Sequence, residues 1–296
     1  MPDLILSATA PEAGFSIVAG ITTQLVSEMQ MRHALSPTAT AAVGRLVTAA
    51  ALLATSLKGT ERVGLQIAGD GPLRSIVAEA WLLDGTAVGA RGYAKVPDAD
   101  LPLNDQRKFD VAGALGEGSL QVTKSYEVGQ PYVGVVPLYS GEIAEDIAAY
   151  LANSEQIPSV VALGVLANPQ GVIAAGGIIA QVLPGADDRA VALLEQSALA
   201  MPPITQLIAQ GAGATALLHA LTGESALRAL RSSTVEYACK CTREKVEAAF
   251  IALGADELHK MASERDKTEA TCEFCKKIYV FTGEEVTGLA TRLGKG

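Results

Sequence analysis

The alternation of apolar and polar positions lays out most of the first two thirds of the chain. Phe15 to Ile21 predicts a strand, and Thr22 to Ala34 a helix whose apolar Leu25, Val26 and Met29 recur at helical spacing. Ser36-Pro37 then opens a second helix, with serine at the cap and proline at the first helical position, where its missing N–H costs nothing. Its Ala/Leu-rich run lasts to Leu57, stops at Lys58-Gly59, and is apolar on more than one side, which predicts burial. Strands follow at Val63 to Ala68, Leu73 to Leu83 and Val88 to Ala94, with turns at Asp70-Gly71-Pro72 and at Asp84-Gly85, the latter a hairpin signal. Leu120 to Tyr126 and Tyr132 to Leu138 add two more. Ser140-Gly141-Glu142-Ile143 starts a helix through Leu151, and Ser159 to Leu166 with Val172 to Val182 predicts a second hairpin around Asn168-Pro169-Gln170-Gly171. Strands and helices mix without strict alternation, so the fold class is α+β.

The pattern changes after Leu183-Pro184-Gly185. From Ala186 to Arg231 the chain reads as short helices rich in Ala and Leu, broken at Met201-Pro202-Pro203 and Gly211-Ala212-Gly213. Their apolar rows (Val191, Leu193, Leu194, Leu199; Leu207, Ile208; Leu217, Leu218, Leu221; Leu227, Leu230) are expected to be covered rather than left in water. The last part predicts a strand ahead of Cys239, a helix from Thr242 to Leu253 ended by Gly254, a second from Asp256 to about Arg265, and a strand in the run Lys276 to Phe281. A capping box at Thr282-Gly283-Glu284-Glu285 starts a final helix. Three parts result: 1–185, an N-terminal mixed sheet and helix domain; 186–231, a helical linker; and 232–296, a small C-terminal domain that carries all four cysteines.

With 296 residues, 49% of them hydrophobic, the chain is long enough for one large core or two modest ones. Aromatics are only 4%, so the core is built from Ala, Val, Leu and Ile. No run approaches the uninterrupted apolar length of a membrane span, and no membrane partner is expected. A net charge of −9 argues against a nucleic-acid surface unless basic residues are segregated. Between Cys239 and Phe281 eight Lys or Arg face eight Asp or Glu, so the cysteine region is not basic either. A zinc-ribbon nucleic-acid module is therefore a weak reading.

The candidate chemistry is confined to four cysteines: Cys239 and Cys241, then, after a gap of 30 residues, Cys272 and Cys275. In an extended C-x-C segment both sulfurs point to one side, and a C-x-x-C turn converges its pair in the same way, so the two arms suit a four-thiolate metal site with zinc as first candidate. Four thiolates on a dication leave roughly −2, which Lys240, Arg243, Lys245, Lys276 and Lys277 stand close by in sequence to offset. Permanent disulfides need an oxidising compartment, whereas Met1 to Ser7 shows neither a basic start nor an apolar signal core; a reducing cytoplasm is the expected location. Ferredoxin spacings are absent, which disfavours an iron-sulfur cluster. Purely structural zinc stays open on spacing alone. No phosphate-binding loop, G-x-S-x-G or defensible carboxylate pair occurs, and His33, His219 and His259 have no motif beside them, so no enzyme activity is expected.

The cysteine pattern at the chain's end, preceded by Val235-Glu236-Tyr237 and followed by Thr242-Arg243-Glu244-Lys245, resembles that of the heat shock protein 33 family of redox-regulated holdase chaperones. The resemblance extends over the whole chain through Gly69-Asp70-Gly71-Pro72-Leu73, Arg91-Gly92-Tyr93, Ser140 to Asp146, Ser154-Glu155-Gln156, and Gly176-Gly177 ahead of Leu183-Pro184. It implies an ATP-independent chaperone, inactive while Cys239, Cys241, Cys272 and Cys275 hold one Zn2+. Oxidation to disulfides Cys239 to Cys241 and Cys272 to Cys275 then releases zinc, unfolds the cysteine domain and linker, and exposes apolar surface to unfolding client proteins. The active form is a homodimer. The alternative is a constitutive structural-zinc module acting as a binding protein. Within the implied scheme, Cys272 to Cys275 is expected to close first, because an extended C-x-C places its Cα atoms near or beyond the roughly 6.8 Å limit for a disulfide.

Overall fold

The computed structural model describes residues 2–83, 85–186, 188–223 and 225–293. Contacts divide the chain into two compact units, Met1–Ala238 and Cys239–Gly296. The first runs β1 (Leu4–Ala10), β2 (Phe15–Ile21), α1 (Thr23–His33), α2 (Pro37–Ala54), β3 (Arg62–Gly69), β4 (Ser75–Leu83), β5 (Ala87–Ala94), α3 (Val111–Leu115), β6 (Gly118–Ser125) and β7 (Tyr132–Pro137). It continues with α4 (Ala144–Asn153), β8 (Ser159–Asn168), β9 (Gly171–Val182), α5 (Asp188–Ala200), α6 (Ile204–Ala209), α7 (Ala214–Thr222) and β10 (Arg228–Tyr237). The α+β class is as the pattern predicts. Ten strands form one sheet in the order β7-β6-β3-β4-β5-β10-β1-β2-β9-β8.

Helix α2 is the centre of the larger core. Ser36 Oγ accepts from the Ala39 N–H at 3.0 Å, and Pro37 opens the helix, as the cap signal predicts. Its mean hydropathy of 1.3 over 18 residues makes it long and apolar enough to cross a membrane, contrary to the expectation that no segment comes close. The structure buries 83% of it in the core instead, between α1 and strands β3, β4, β5, β8 and β9. Val43, Leu46, Val47 and the helix alanines meet Leu65, Ile67, Ile76 and Val88 there.

A second apolar cluster holds the linker helices. Phe15, Ile17, Ile21 and Ile178, with small Ala8, Ala10, Ala19 and Ala180, form a sheet face on which Leu194, Ile204, Leu217, Leu218 and Leu221 pack. Not every predicted apolar position is covered: Leu193 is 41% exposed and Leu199 89%, because they point away from the sheet. The helical reading of the linker also ran too far, since β10 begins at Arg228; pairing with β1 overrides the Ala/Leu composition there. β10 changes partner along its length, running antiparallel to β1 at Arg228 to Thr234 and parallel to β5 at Val235 to Tyr237. β1 and the five-residue α3 carried no prediction. The β4–β5 hairpin is present, but Asp84 of its turn and the Leu230 side chain lie outside the described residues.

The second unit consists of α8 (Arg243–Ile251), α9 (Ala255–Glu264), β11 (Lys267–Thr271), β12 (Ile278–Thr282) and α10 (Gly283–Leu293), with β11 and β12 antiparallel. The predicted capping box is formed: the Thr282 N–H donates to Glu285 Oε2 at 2.8 Å and the Glu285 N–H to Thr282 Oγ1 at 3.2 Å. Among the described residues its core is Phe250, Leu258, Tyr279, Phe281, Val286, Leu289 and Ala290, with Phe250 edge-on to Phe281 at 4.9 Å between centroids. So few buried side chains supply little stability for a free-standing fold.

Candidate metal centre

Both cysteine arms converge in the second unit. Cys239 and Cys241 lie in irregular chain just ahead of α8, whose first turn is held by Thr242 Oγ1 accepting from the Lys245 N–H at 3.3 Å. Cys272 and Cys275 flank the turn between β11 and β12. That turn closes through the Lys276 N–H to Cys272 O at 2.8 Å and the Cys272 N–H to Lys277 O at 3.0 Å. Lys276, directly after Cys275, takes a left-handed φ of 58°, which turns the chain from the cysteine arm toward β12.

All four Sγ atoms lie within 4.8 Å of one another, and each cysteine is half-buried. The short contacts cross between the arms: Cys239 to Cys272 at 3.9 Å and Cys241 to Cys275 at 3.3 Å. A tetrahedral zinc with bonds of about 2.3 Å sets its sulfurs about 3.8 Å apart, so the cluster fits such an ion with small adjustments. The group could hold a metal. Without an ion the thiols differ strongly. Burial pushes Cys241 up, but hydrogen bonds from Tyr279 and from the other three sulfurs outweigh it and bring this thiol down to about 7. Burial pushes Cys275 up to about 12, and it raises Cys272 as well.

The basic residues near the arms turn to other partners. Arg243 lies over the Phe281 ring at 4.0 Å and bonds Val280 O and Glu285, Lys245 Nζ donates to Lys240 O at 2.6 Å, and Lys276 Nζ pairs with Glu273 at 2.9 Å. Sequence reading missed Tyr279, whose hydroxyl donates to Cys241 Sγ at 3.2 Å. The available signal was its place four residues after Cys275, on the strand that leaves the turn. Among the described residues the converging group is made of cysteines alone; His33 ends α1 stacked on Tyr93, His219 is on α7 and His259 on α9.

A family profile described as Hsp33 protein matches residues 3–282. A 33 kDa chaperonin of Acetivibrio thermocellus is 44% identical over 291 residues, covering 98% of this chain and 97% of that protein. The 33 kDa chaperonin of Acaryochloris marina is 42% identical, covering 97% and 96%. The crystal structure of a 33 kDa chaperonin, a heat shock protein 33 homologue from Thermotoga maritima, superposes with a TM-score of 0.90 at 37% identity over 100% of both chains. With the profile, the full-length relatives and the shared fold in agreement, this chain belongs to the Hsp33 family.

Proposed function

We propose that this protein is a redox-regulated, ATP-independent holdase, inactive while Cys239, Cys241, Cys272 and Cys275 bind one Zn2+ and active once they are oxidised. The observation that supports this most is the convergence of four sulfurs within 4.8 Å in a chain whose relatives are named chaperonins. When bound, the ion ties together two arms that a small core holds weakly, so metal binding supplies much of this unit's folding free energy. In oxidation two thiolates give two electrons to one hydrogen peroxide, which takes two protons from solvent, forming one disulfide and two waters. Closing Cys272 to Cys275 and Cys239 to Cys241 removes all four ligands.

Three working parts follow: a core of 1–185, a linker of 186–231 and a switch of 232–296. Unfolding of the switch spreads along the chain into the linker, whose helices leave the apolar sheet face they pack on. Unfolding clients bind the apolar surface thus freed, and the active form is a cytoplasmic homodimer with no nucleic-acid or membrane partner. The role is binding, not catalysis. The test is to treat reduced protein with peroxide at elevated temperature while following zinc release and the aggregation of an unrelated unfolding protein. A switch gives zinc release together with suppressed aggregation; a constitutive structural-zinc module gives neither.

A further inference from the structure

The Tyr279 ring is 6% exposed within the core of the second unit, and Lys277 Nζ stands 4.9 Å from its centroid. A residue so little exposed, with a cation over its ring, has little freedom to turn, and its hydroxyl donates to Cys241 Sγ, 3.2 Å away. Tyr279 is on β12, beyond the second arm, whereas Cys241 belongs to the first. The hydrogen bond therefore joins the arms by a route that does not pass through a metal. On the second arm the donors are main-chain: N–H groups of Phe274 and Cys275 serve Cys272, and that of Lys277 serves Cys275. Apart from contacts among the four sulfurs themselves, the donor to Cys241 is a single side-chain atom, the Tyr279 hydroxyl.

We propose that Tyr279 is a positioning residue for Cys241, and that its hydroxyl occupies a sulfur lone pair and so selectively slows attack by Cys241 on electrophiles in the metal-bound protein. The inference rests on the four cysteines being ligands. In that state all four sulfurs are unprotonated, so their reactivities differ through lone-pair availability, not through the fraction ionised. A hydroxyl bonded to an anionic sulfur is of the stronger, charge-assisted kind, and donors placed behind metal ligands are typically worth tenfold or more in affinity. Second-arm donors survive any side-chain substitution. Loss of the Tyr279 hydroxyl uncovers Cys241 selectively.

The test uses full-length Tyr279→Phe, which keeps the ring and its packing. Zinc per chain is measured first; then native, zinc-loaded wild type and variant react with iodoacetamide, each sulfur forming an S–C bond and expelling iodide. Mass spectrometry follows every cysteine over time. Tyr279→Phe is expected to raise the Cys241 rate about tenfold and to leave Cys272 and Cys275 within about twofold of wild type. Val286→Ala, which truncates a fully buried residue of the same core and keeps the Tyr279 hydroxyl, gives the profile of simple loosening, a parallel rise at all sites. An unchanged Cys241 rate, or a Tyr279→Phe profile matching that of Val286→Ala, overturns the inference alone. Wild-type protein that takes up no zinc overturns the metal reading and this inference with it.

Discussion

Leu217 on α7 has no exposed surface and packs in the cluster that joins the linker helices to the sheet face of Phe15, Ile17 and Ile178. Replacing it with alanine leaves a cavity where the two surfaces meet, at a cost of about 3 kcal/mol. At 1.4 kcal/mol per tenfold, the population with α7 detached rises about 150-fold, and amide exchange over α7 quickens by about the same factor. If these helices cover a client-binding face, reduced, metal-loaded Leu217→Ala binds an apolar dye and retards aggregation of an unfolding protein without oxidant. Leu199→Ala, at an 89% exposed position of the same linker, changes none of these readings. A lowered melting temperature for Leu217→Ala, with wild-type exchange over α7 and no activity before oxidation, refutes the idea that the helices act as a cover.

Cys272→Ser removes one of four converging sulfurs, so zinc stoichiometry should fall and residues 239–296 should be cut sooner by protease; unchanged values for both contradict the ligand assignment. Chelation of the metal should make the 239–296 unit protease-sensitive while α2, buried in the other core, stays protected, which limited proteolysis with mass spectrometry resolves. Cys275, held at about 12, and the raised Cys272 both carry protons at neutral pH that an ion must displace, so zinc affinity should fall at least about a hundredfold per unit as pH drops. Competition with a chromophoric chelator at several pH values reads this, and a flat profile rules it out. Gly118→Ala places a Cβ against the Ala68 carbonyl in the β3–β6 pairing and should cost roughly 2–3 kcal/mol in urea titration.

The elements legible in the sequence were those whose signal is local. Ser36-Pro37 marks α2 because cap and proline act within one turn, and Thr282 to Glu285 marks α10 for the same reason. The breaks at Pro202-Pro203 and Gly211 to Gly213 separate α5, α6 and α7 where expected. What escaped depends on distant partners. Arg228 to Arg231 has the composition of the preceding helices and becomes strand only because β1, about 220 residues earlier, pairs with it. β11, Lys267-Thr268-Glu269-Ala270-Thr271, is mostly polar and is defined by β12 across the turn. The four cysteines were legible as a group because C-x-C and C-x-x-C spacing is itself geometry. The 3.3 Å and 3.9 Å contacts across the arms, and the Tyr279 hydroxyl, emerge only once the β11–β12 turn is folded.

The place of β10 bears on how the molecule is made. Strands β3 to β7 form one half of the sheet and β1, β2, β8 and β9 the other, and β10 alone stands between β5 and β1. It is also the last strand of the sheet to be translated. A nascent chain on the ribosome can therefore assemble each half early, but the halves cannot be bridged until Tyr237 has left the exit tunnel, just before the first cysteine arm emerges. Closure depends on pairings of very long sequence separation, which form slowly and leave strand edges open meanwhile. A chain of this chaperone family thus passes through an interval of its own synthesis in which its central seam is unfilled, and truncation anywhere before residue 228 removes the strand that pairs with the β5 and β1 edges.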